Sequence, residues 1–243
     1  MASTFDLERI VPDQLSADPF ERETLEIHAA RYRFAAQWVA AKTKESRVLD
    51  LACGVGYGSA ILKLAGAGQV TGVDLSDQAV AYAREHYAAP GVSFVCSEGA
   101  AFTPAGLFDV VVSLETIEHV PDARGFVAQL TRFVAPGGVL IGSVPTTLSS
   151  DVNPHHLHDF SAGEFRAMFA SNGLTLVDEM TQIQRFSPLG LRKLAGHSAR
   201  SYQLRPHLGR YYAGHPGMLV RRLWTTLRHG FANHYLVLVG QKS

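Results

Sequence analysis

The run Val48-Leu49-Asp50-Leu51-Ala52-Cys53-Gly54-Val55-Gly56-Tyr57-Gly58-Ser59 constrains this chain more than any other stretch. Its apolar start reads as a short buried strand, its glycines as a sharp turn, and Ser59–Leu64 as the amphipathic helix that follows. Gly54 and Gly56 remove the Cβ atoms that would block a tight turn and the close approach of a ligand. About twenty residues on, a second apolar strand, Gln69–Val73, ends in Asp74. Doubly wound α/β folds place an acid at that point to bond a ribose diol.

The remainder repeats the alternation of strand and helix. At 243 residues the chain suits one large α/β domain with an elaboration. After a polar arm containing Pro12 and Pro19, apolar spacing predicts a helix over Phe20–Ala41, laid against the start of the sheet. Arg47–Leu51 is the first strand, Ser76 caps a helix over Asp77–His86, and Val92–Cys96 is the third strand. Phe108–Leu114 is nearly all apolar, as a strand covered on both faces should be, and delivers Glu115 to the carboxyl edge of the sheet. A helix over Ala123–Val134, the turn Ala135-Pro136-Gly137-Gly138 and a strand over Val139–Val144 follow, then a polar loop from Thr146 to Asp159. Ser161 caps a helix over Ala162–Ser171, before strands over Leu174–Glu179 and His234–Val239.

The glycine loop, Asp74 at its spacing and Phe108-Asp109-Val110-Val111-Val112-Ser113 together resemble the class I S-adenosylmethionine-dependent methyltransferases, over roughly residues 46–180. A nicotinamide-type fingerprint would need a glycine three after the second one, where Ser59 stands. The resemblance implies a Rossmann-like seven-stranded, mostly parallel sheet with helices on both faces, and a mostly helical insertion before the last strand. It divides the chain into an arm and helix closing the cofactor site (1–45), the core (46–184), a basic cap (185–232) and the last core strand (233–243). It implies S-adenosylmethionine as cofactor and S-adenosylhomocysteine as product, contacted by Asp50, Ala52, Gly54, Gly56, Asp74, Leu75, Glu98, Gly99, Glu115 and by Arg31 or Tyr32 at the methionine carboxylate. Ala52 departs from the family's usual glycine. Glu98 aligns with the acid that meets the adenine amino group, although a solvated turn glutamate is the plain reading of that residue.

For the chemistry, the cofactor already carries the activation, and a base is needed only when the acceptor must lose a proton. His156 lies in Asn153-Pro154-His155-His156, ahead of Asp159 and Phe160, which resembles the loop after strand five in glycan O-methyltransferases. His119 is the second candidate base. An unperturbed histidine base would lose activity below about pH 6.5. Glu115-Thr116-Ile117-Glu118-His119 is first a structural start to a helix. It also resembles the metal-binding pattern of ubiquinone-pathway O-methyltransferases and small-RNA ribose methyltransferases: Glu115, Glu118 and His119 would share one helical face and His156 would complete a divalent site. The metal is the lesser reading. The implied activity is methylation of a small-molecule or glycan acceptor at oxygen, with nitrogen of a heterocycle or amine second. A non-catalytic S-adenosylmethionine-binding or RNA-binding protein is the alternative of another class.

Charge adds an asymmetry. The chain balances 22 Lys and Arg against 22 Asp and Glu, yet residues 185–232 hold eight Arg and one Lys with no acid, which leaves 13 basic against 22 acidic residues elsewhere. A segment so built should meet negative charge, either the acidic remainder of the chain or an anionic acceptor. Roughly fifty residues between strands six and seven should be structured and useful. They could form a lid over the acceptor, a membrane-surface helix over 218–231, or a dimer contact, so a monomer and a homodimer both stay open. The segment lacks the interleaved aromatics of a stacking platform, so nucleic acid is not expected. Two cysteines form no framework, and no apolar stretch could span a bilayer, so the chain reads as cytoplasmic.

Overall fold

A computed structural model describes residues 11–12, 19–185, 205 and 207–243. Arg192, Lys193 and Arg200 of the basic segment and most of the N-terminal arm lie outside the described residues. The chain runs α1 (Pro19–Ala40), β1 (Arg47–Leu51), α2 (Tyr57–Leu64), β2 (Gln69–Asp74), α3 (Asp77–Tyr87), β3 (Val92–Cys96), β4 (Phe108–Leu114), α4 (Ala123–Phe133), β5 (Val134–Pro145), α5 (Ala162–Ser171), β6 (Leu174–Arg185), α6 (Leu208–Gly214), α7 (Pro216–His229) and β7 (Ala232–Lys242). The strands form one seven-stranded sheet in the order β3-β2-β1-β4-β5-β7-β6. Every pair from β3 to β5 is parallel, and β7 runs antiparallel to both β5 and β6.

The central strands are apolar on both faces because both are covered. Leu49, Val111 and Leu140 pack with Phe126, Leu130, Phe165 and Phe169 from α4 and α5. Val48, Val110, Val112 and Ile141 point the other way, into Tyr32, Ala35, Val39 and Leu62 from α1 and α2. Successive side chains of one strand thus feed two cores. The order reverses between β1 and β4, and the carboxyl ends of the parallel strands open there onto one crevice.

Three elements differ from the sequence reading. β5 begins at Val134 and absorbs the Pro-Gly-Gly turn, because Val134 pairs with Phe108 across an irregular step in the ladder. β6 and β7 are both longer than their apolar centres. Their outer halves pair with each other from Met180↔Val237 to Arg185↔Ala232, while β6 keeps an alternating, half-exposed face that an apolarity count misses. After Glu115 the chain makes only a one-turn 3-10 helix, Ile117–His119, instead of starting an α-helix.

The segment between β6 and β7 is helical where described, and it is anchored from one loop. Asp151, fully buried, accepts from Tyr212 Oη at 2.6 Å and from Arg222 Nε at 2.8 Å, with a second Arg222 contact through Nη2. Burial alone would raise the Asp151 pKa, but the bonds from Arg222 and Tyr212 outweigh it and hold the carboxyl below its usual range. Arg205 adds bonds to the carbonyls of Ser150 and Asp151.

Helix α1 is seated through one close approach. A Cβ on Gly58 would fall 2.0 Å from Tyr32 Cζ, so only glycine lets α2 pass beneath the ring. Gly58→Ala should therefore displace Tyr32 and cost about 1–3 kcal/mol by overpacking. A thermal melt should drop by a few to about 10 °C, and an unchanged midpoint would refute this packing.

Candidate active site

The crevice at the carboxyl edge is a cavity of about 1020 Å³. That is at the upper end of the roughly 300–1,000 Å³ of an ordinary ligand pocket. One end is built by the loop after β1. Ala52 and Gly54 both take left-handed backbone angles, φ 68° and φ 56°, and a Cβ on Gly54 would meet nothing within 4 Å, so that glycine borders the open cavity. Ala52 holds the same conformation with its methyl group present, at a cost of about 1 kcal/mol. Gly56 does different work: its Cβ would strike Ala83 and Phe94 at 2.7 and 2.9 Å, so it lets the turn pack against α3 and β3.

Asp74, 5% exposed, ends β2 at the cavity wall. Its Oδ2 accepts from the Gly54 amide at 2.8 Å and its Oδ1 from the Ser76 amide at 2.9 Å. Both carboxylate oxygens are therefore held in orientation by backbone donors. Beside Asp74, Leu75 is 68% exposed and lines the cavity, followed by Ser97, Glu98 and Gly99 after β3. Gln129 from α4 holds the Gly99 and Ala100 carbonyls at 3.0 and 3.2 Å.

The wall opposite comes from α1. Arg31 is 1% exposed, its Nε donates to Gln182 Oε1 at 2.7 Å, and its guanidinium lies 4.3 Å from the centre of the Tyr235 ring. Its Nη1 faces Glu115 Oε1 at 3.5 Å, yet Nη1 and Nη2 have no hydrogen-bond acceptor. Glu115 takes φ 50°, a strained angle for a side chain of its kind, and receives Ser143 Oγ at 2.7 Å. Tyr32 also lines the cavity and donates to Asp50 at 3.2 Å, while Ser59 donates to Asp50 at 2.6 Å. Asp50 itself is fully buried, and burial pushes its carboxyl up to about 7. Of the residues expected around the cofactor, Arg31, Tyr32, Ala52, Gly54, Asp74, Leu75, Glu98, Gly99 and Glu115 line one cavity, and Asp50 and Gly56 stand behind it.

At the other end, the 3-10 turn and the loop after β5 bring histidines together. The rings of His119 and His156 meet edge to face at 4.7 Å. His119 Nδ1 lies 3.2 Å from the His155 carbonyl, which can only accept, so Nδ1 donates there, and Nε2 lies 3.9 Å from Glu118 Oε1. His156 Nδ1 bonds Ser149 Oγ at 2.7 Å, and Asp159 braces the same loop through the Ser149 and Ser150 amides. Burial first, and the neighbouring His119 second, pull the His156 pKa down to about 4. Donor atoms of Glu118, His119 and His156 lie within 4.8 Å of one another, Glu118 being fully buried. Glu115 is not in this group: its carboxylate turns to Arg31 and Ser143.

His28, Ser149, Asn233 and Tyr235 also line the cavity, and sequence reasoning missed them. The pairing of β7 beside β5 brings Asn233 and Tyr235 to the wall, a neighbourhood with no local signal. Among the described residues no arginine of the 185–232 segment lines the cavity; Arg205 and Arg222 are committed to the loop around Asp151, and Arg221 lies 3.7 Å from Asp159. Of the two negative partners expected for this segment, these three arginines thus meet acids and carbonyls of the chain itself and do not reach the cavity.

A family model described as a methyltransferase domain matches residues 49–142. The ubiquinone biosynthesis O-methyltransferase of Aromatoleum aromaticum is 43% identical over 96 residues, which is 38% of this chain and 41% of that protein. The chain spans between 41% and 60% of the lengths of the first curated relatives it matches. Among solved structures, magnesium protoporphyrin IX methyltransferase from Synechocystis, with bound S-adenosylmethionine, superposes with TM-score 0.62 at 18% identity, over 95% of this chain and 86% of that one. The cyclase SpnF superposes with TM-score 0.65 at 18% identity, over 98% and 89%. At such identities the likeness shows the fold alone. Matched motifs, strand order and cavity agree, and residues 49–142 are a methyltransferase domain of the class I S-adenosylmethionine-dependent family.

Proposed function

We propose that the chain transfers the methyl group of S-adenosylmethionine to an oxygen atom of a small-molecule or glycan acceptor. The observation that carries this reading is the pre-oriented Asp74 carboxylate at the Gly54 turn, in the wall of a cavity that Arg31 also lines. In this reading Asp74 accepts both ribose hydroxyls, Leu75 lies against the adenine, and Glu98 with Gly99 meets its amino group. Arg31, seconded by Tyr32, receives the methionine carboxylate, and Glu115 the methionine ammonium. Ala52 and Gly54 give the ligand backbone to lie on, while Asp50 and Gly56 act from behind by fixing Tyr32, Ser59 and the turn.

The acceptor then occupies the histidine end. When bound, S-adenosylmethionine would supply an activated methyl group: the acceptor oxygen would bond to the methyl carbon as the C–S bond broke and its electron pair returned to sulfur, leaving S-adenosylhomocysteine. Holding the two reactants in line is worth up to about 7–11 kcal/mol. The proton of the acceptor hydroxyl goes to His119 Nε2, on the ring edge away from the His155 carbonyl, or to His156. Anionic selectivity would need other cations than Arg205 and Arg222, which are engaged elsewhere, and Arg221, which does not line the cavity; Asn153, His155 and Asn233 offer hydrogen bonds to a neutral polar acceptor. A second reading is favoured by the convergence of Glu118, His119 and His156. One carboxylate and two imidazoles suit a divalent transition ion, which would lower the pKa of an acceptor hydroxyl.

Two measurements test these roles. Asp74→Ala should weaken S-adenosylhomocysteine binding about tenfold or more in calorimetry, since losing the acceptor leaves ribose hydroxyls unpaired at a cost of about 1–3 kcal/mol; equal affinity would remove the assignment. For the chemistry, kcat/KM should be followed from pH 8 to pH 4 with and without chelator. A His156 base with its pKa near 4 keeps activity level until about pH 5, well below the pH 6.5 fall of an ordinary histidine. Chelator-resistant activity with that profile favours the base, and loss restored by Mg²⁺ or Mn²⁺ favours the metal. Full activity of both His119→Ala and His156→Ala, insensitive to chelator, would reject both.

A further inference from the structure

Helix α7 is turned inside out. Its half-buried residues are Met218, Arg222, Thr225, Thr226 and His229, mostly polar, and Arg222 is the one that reaches Asp151. Its outward face carries Leu219, Val220, Leu223, Trp224 and Leu227, exposed by 39%, 66%, 62%, 63% and 81%, and Phe231 follows at 53%. Val220, Leu223, Trp224 and Leu227 stand at i, i+3, i+4 and i+7, so they form one continuous stripe along the helix. A domain does not orient an amphipathic helix this way merely to fill its core. The polar face has bonds to make inside, and the apolar face is left for something outside.

Charge decides what that something is. Arg221 and Arg228, both exposed, border the stripe on one side, and Arg210 of α6 is exposed nearby in the same basic segment. From Met180 to Ser243 the sequence holds no Asp or Glu. A second copy of this chain docking by the same face would set α7 against α7 and bring Arg210 and Arg228 toward their copies with no acid in the segment to separate them, although Arg221 has Asp159 and Glu164 near it. An anionic lipid surface is complementary in both respects, since headgroups meet the arginines, acyl chains meet the stripe, and a tryptophan suits the boundary. Among the described residues no helix is long and apolar enough to cross a membrane, so the contact is one of lying on the surface.

We propose that α7 docks this protein on an anionic bilayer surface, with Val220, Leu223, Trp224, Leu227 and Phe231 entering the interface and Arg221 and Arg228 meeting lipid phosphates. The inference stands apart from the chemistry in the cavity. Its consequence for that cavity is one of placement: the Arg222–Asp151 anchor ties α7 to the loop carrying Ser149 and Val152, which line the acceptor end, so docking brings that mouth toward the membrane.

The test uses the full chain and two kinds of large vesicle, phosphatidylcholine alone and phosphatidylcholine with phosphatidylglycerol. Co-sedimentation should be at least tenfold stronger on the anionic vesicles and should weaken with salt. Tryptophan emission should shift to the blue on binding, and the shift should vanish in Trp224→Phe. The double variant Leu223→Asp with Leu227→Asp changes only exposed side chains. It should keep its melting temperature and lose binding at least tenfold. No association, or equal association with both vesicles, would overturn the proposal. So would a wild-type dimer in sedimentation velocity that the double variant dissociates, because the face would then belong to a second copy.

Discussion

A guanidinium that is 1% exposed cannot be left to itself, and the arrangement around Arg31 shows what its burial demands. One cation from α1 is met by an amide from β6, a ring from β7 and a carboxylate just past β4. To reach it, Glu115 accepts a left-handed backbone angle and a bond from Ser143 on β5. Five elements are thereby registered against one charge at the cavity wall. The protein satisfies that charge in part, through Gln182, Tyr235 and Glu115, while Nη1 and Nη2 lack a hydrogen-bond acceptor.

Much of this was legible from spacing. The strand, glycine turn, helix and acid from Val48 to Asp74 follow from periods and turn chemistry within a few residues, and β2, β3 and β4 stand where their apolar runs predict. What the sequence hides is long-range. Arg31 meets Gln182 across 151 residues, and nothing near either one announces the pair. Local context also misled at Glu115, where helical spacing put Glu115, Glu118 and His119 on one face. The chain instead breaks at φ 50° and a 3-10 turn, sending Glu115 to the arginine and keeping the other two for His156. Gly54 and Gly56 look alike in sequence, yet one borders open space and the other yields room to Phe94, a difference set by what packs behind the turn.

Net charge was the least specific signal. A run of cations without acids correctly marks a segment that needs negative partners, but its members divide. Arg222 is committed to a single buried aspartate, Arg205 to backbone carbonyls, and others remain at the surface. Composition counts charges, whereas the fold decides which ones are internal struts and which are available to solvent.

β7 lies between β5 and β6, although it follows both in the chain and is reached only after α6 and α7. During synthesis β6 therefore emerges with no neighbour to pair with, and its edge stays open until the final strand arrives to fill the gap. Tyr235 travels on that strand, so the ring beneath Arg31 is among the last parts of the cavity to be delivered. A nascent chain halted before Ala232 would hold the glycine turn and Asp74 but only half of the opposite wall. Completion of the sheet and of the cavity wall thus arrive together, and an interrupted chain would present an exposed strand edge beside an unfinished cavity.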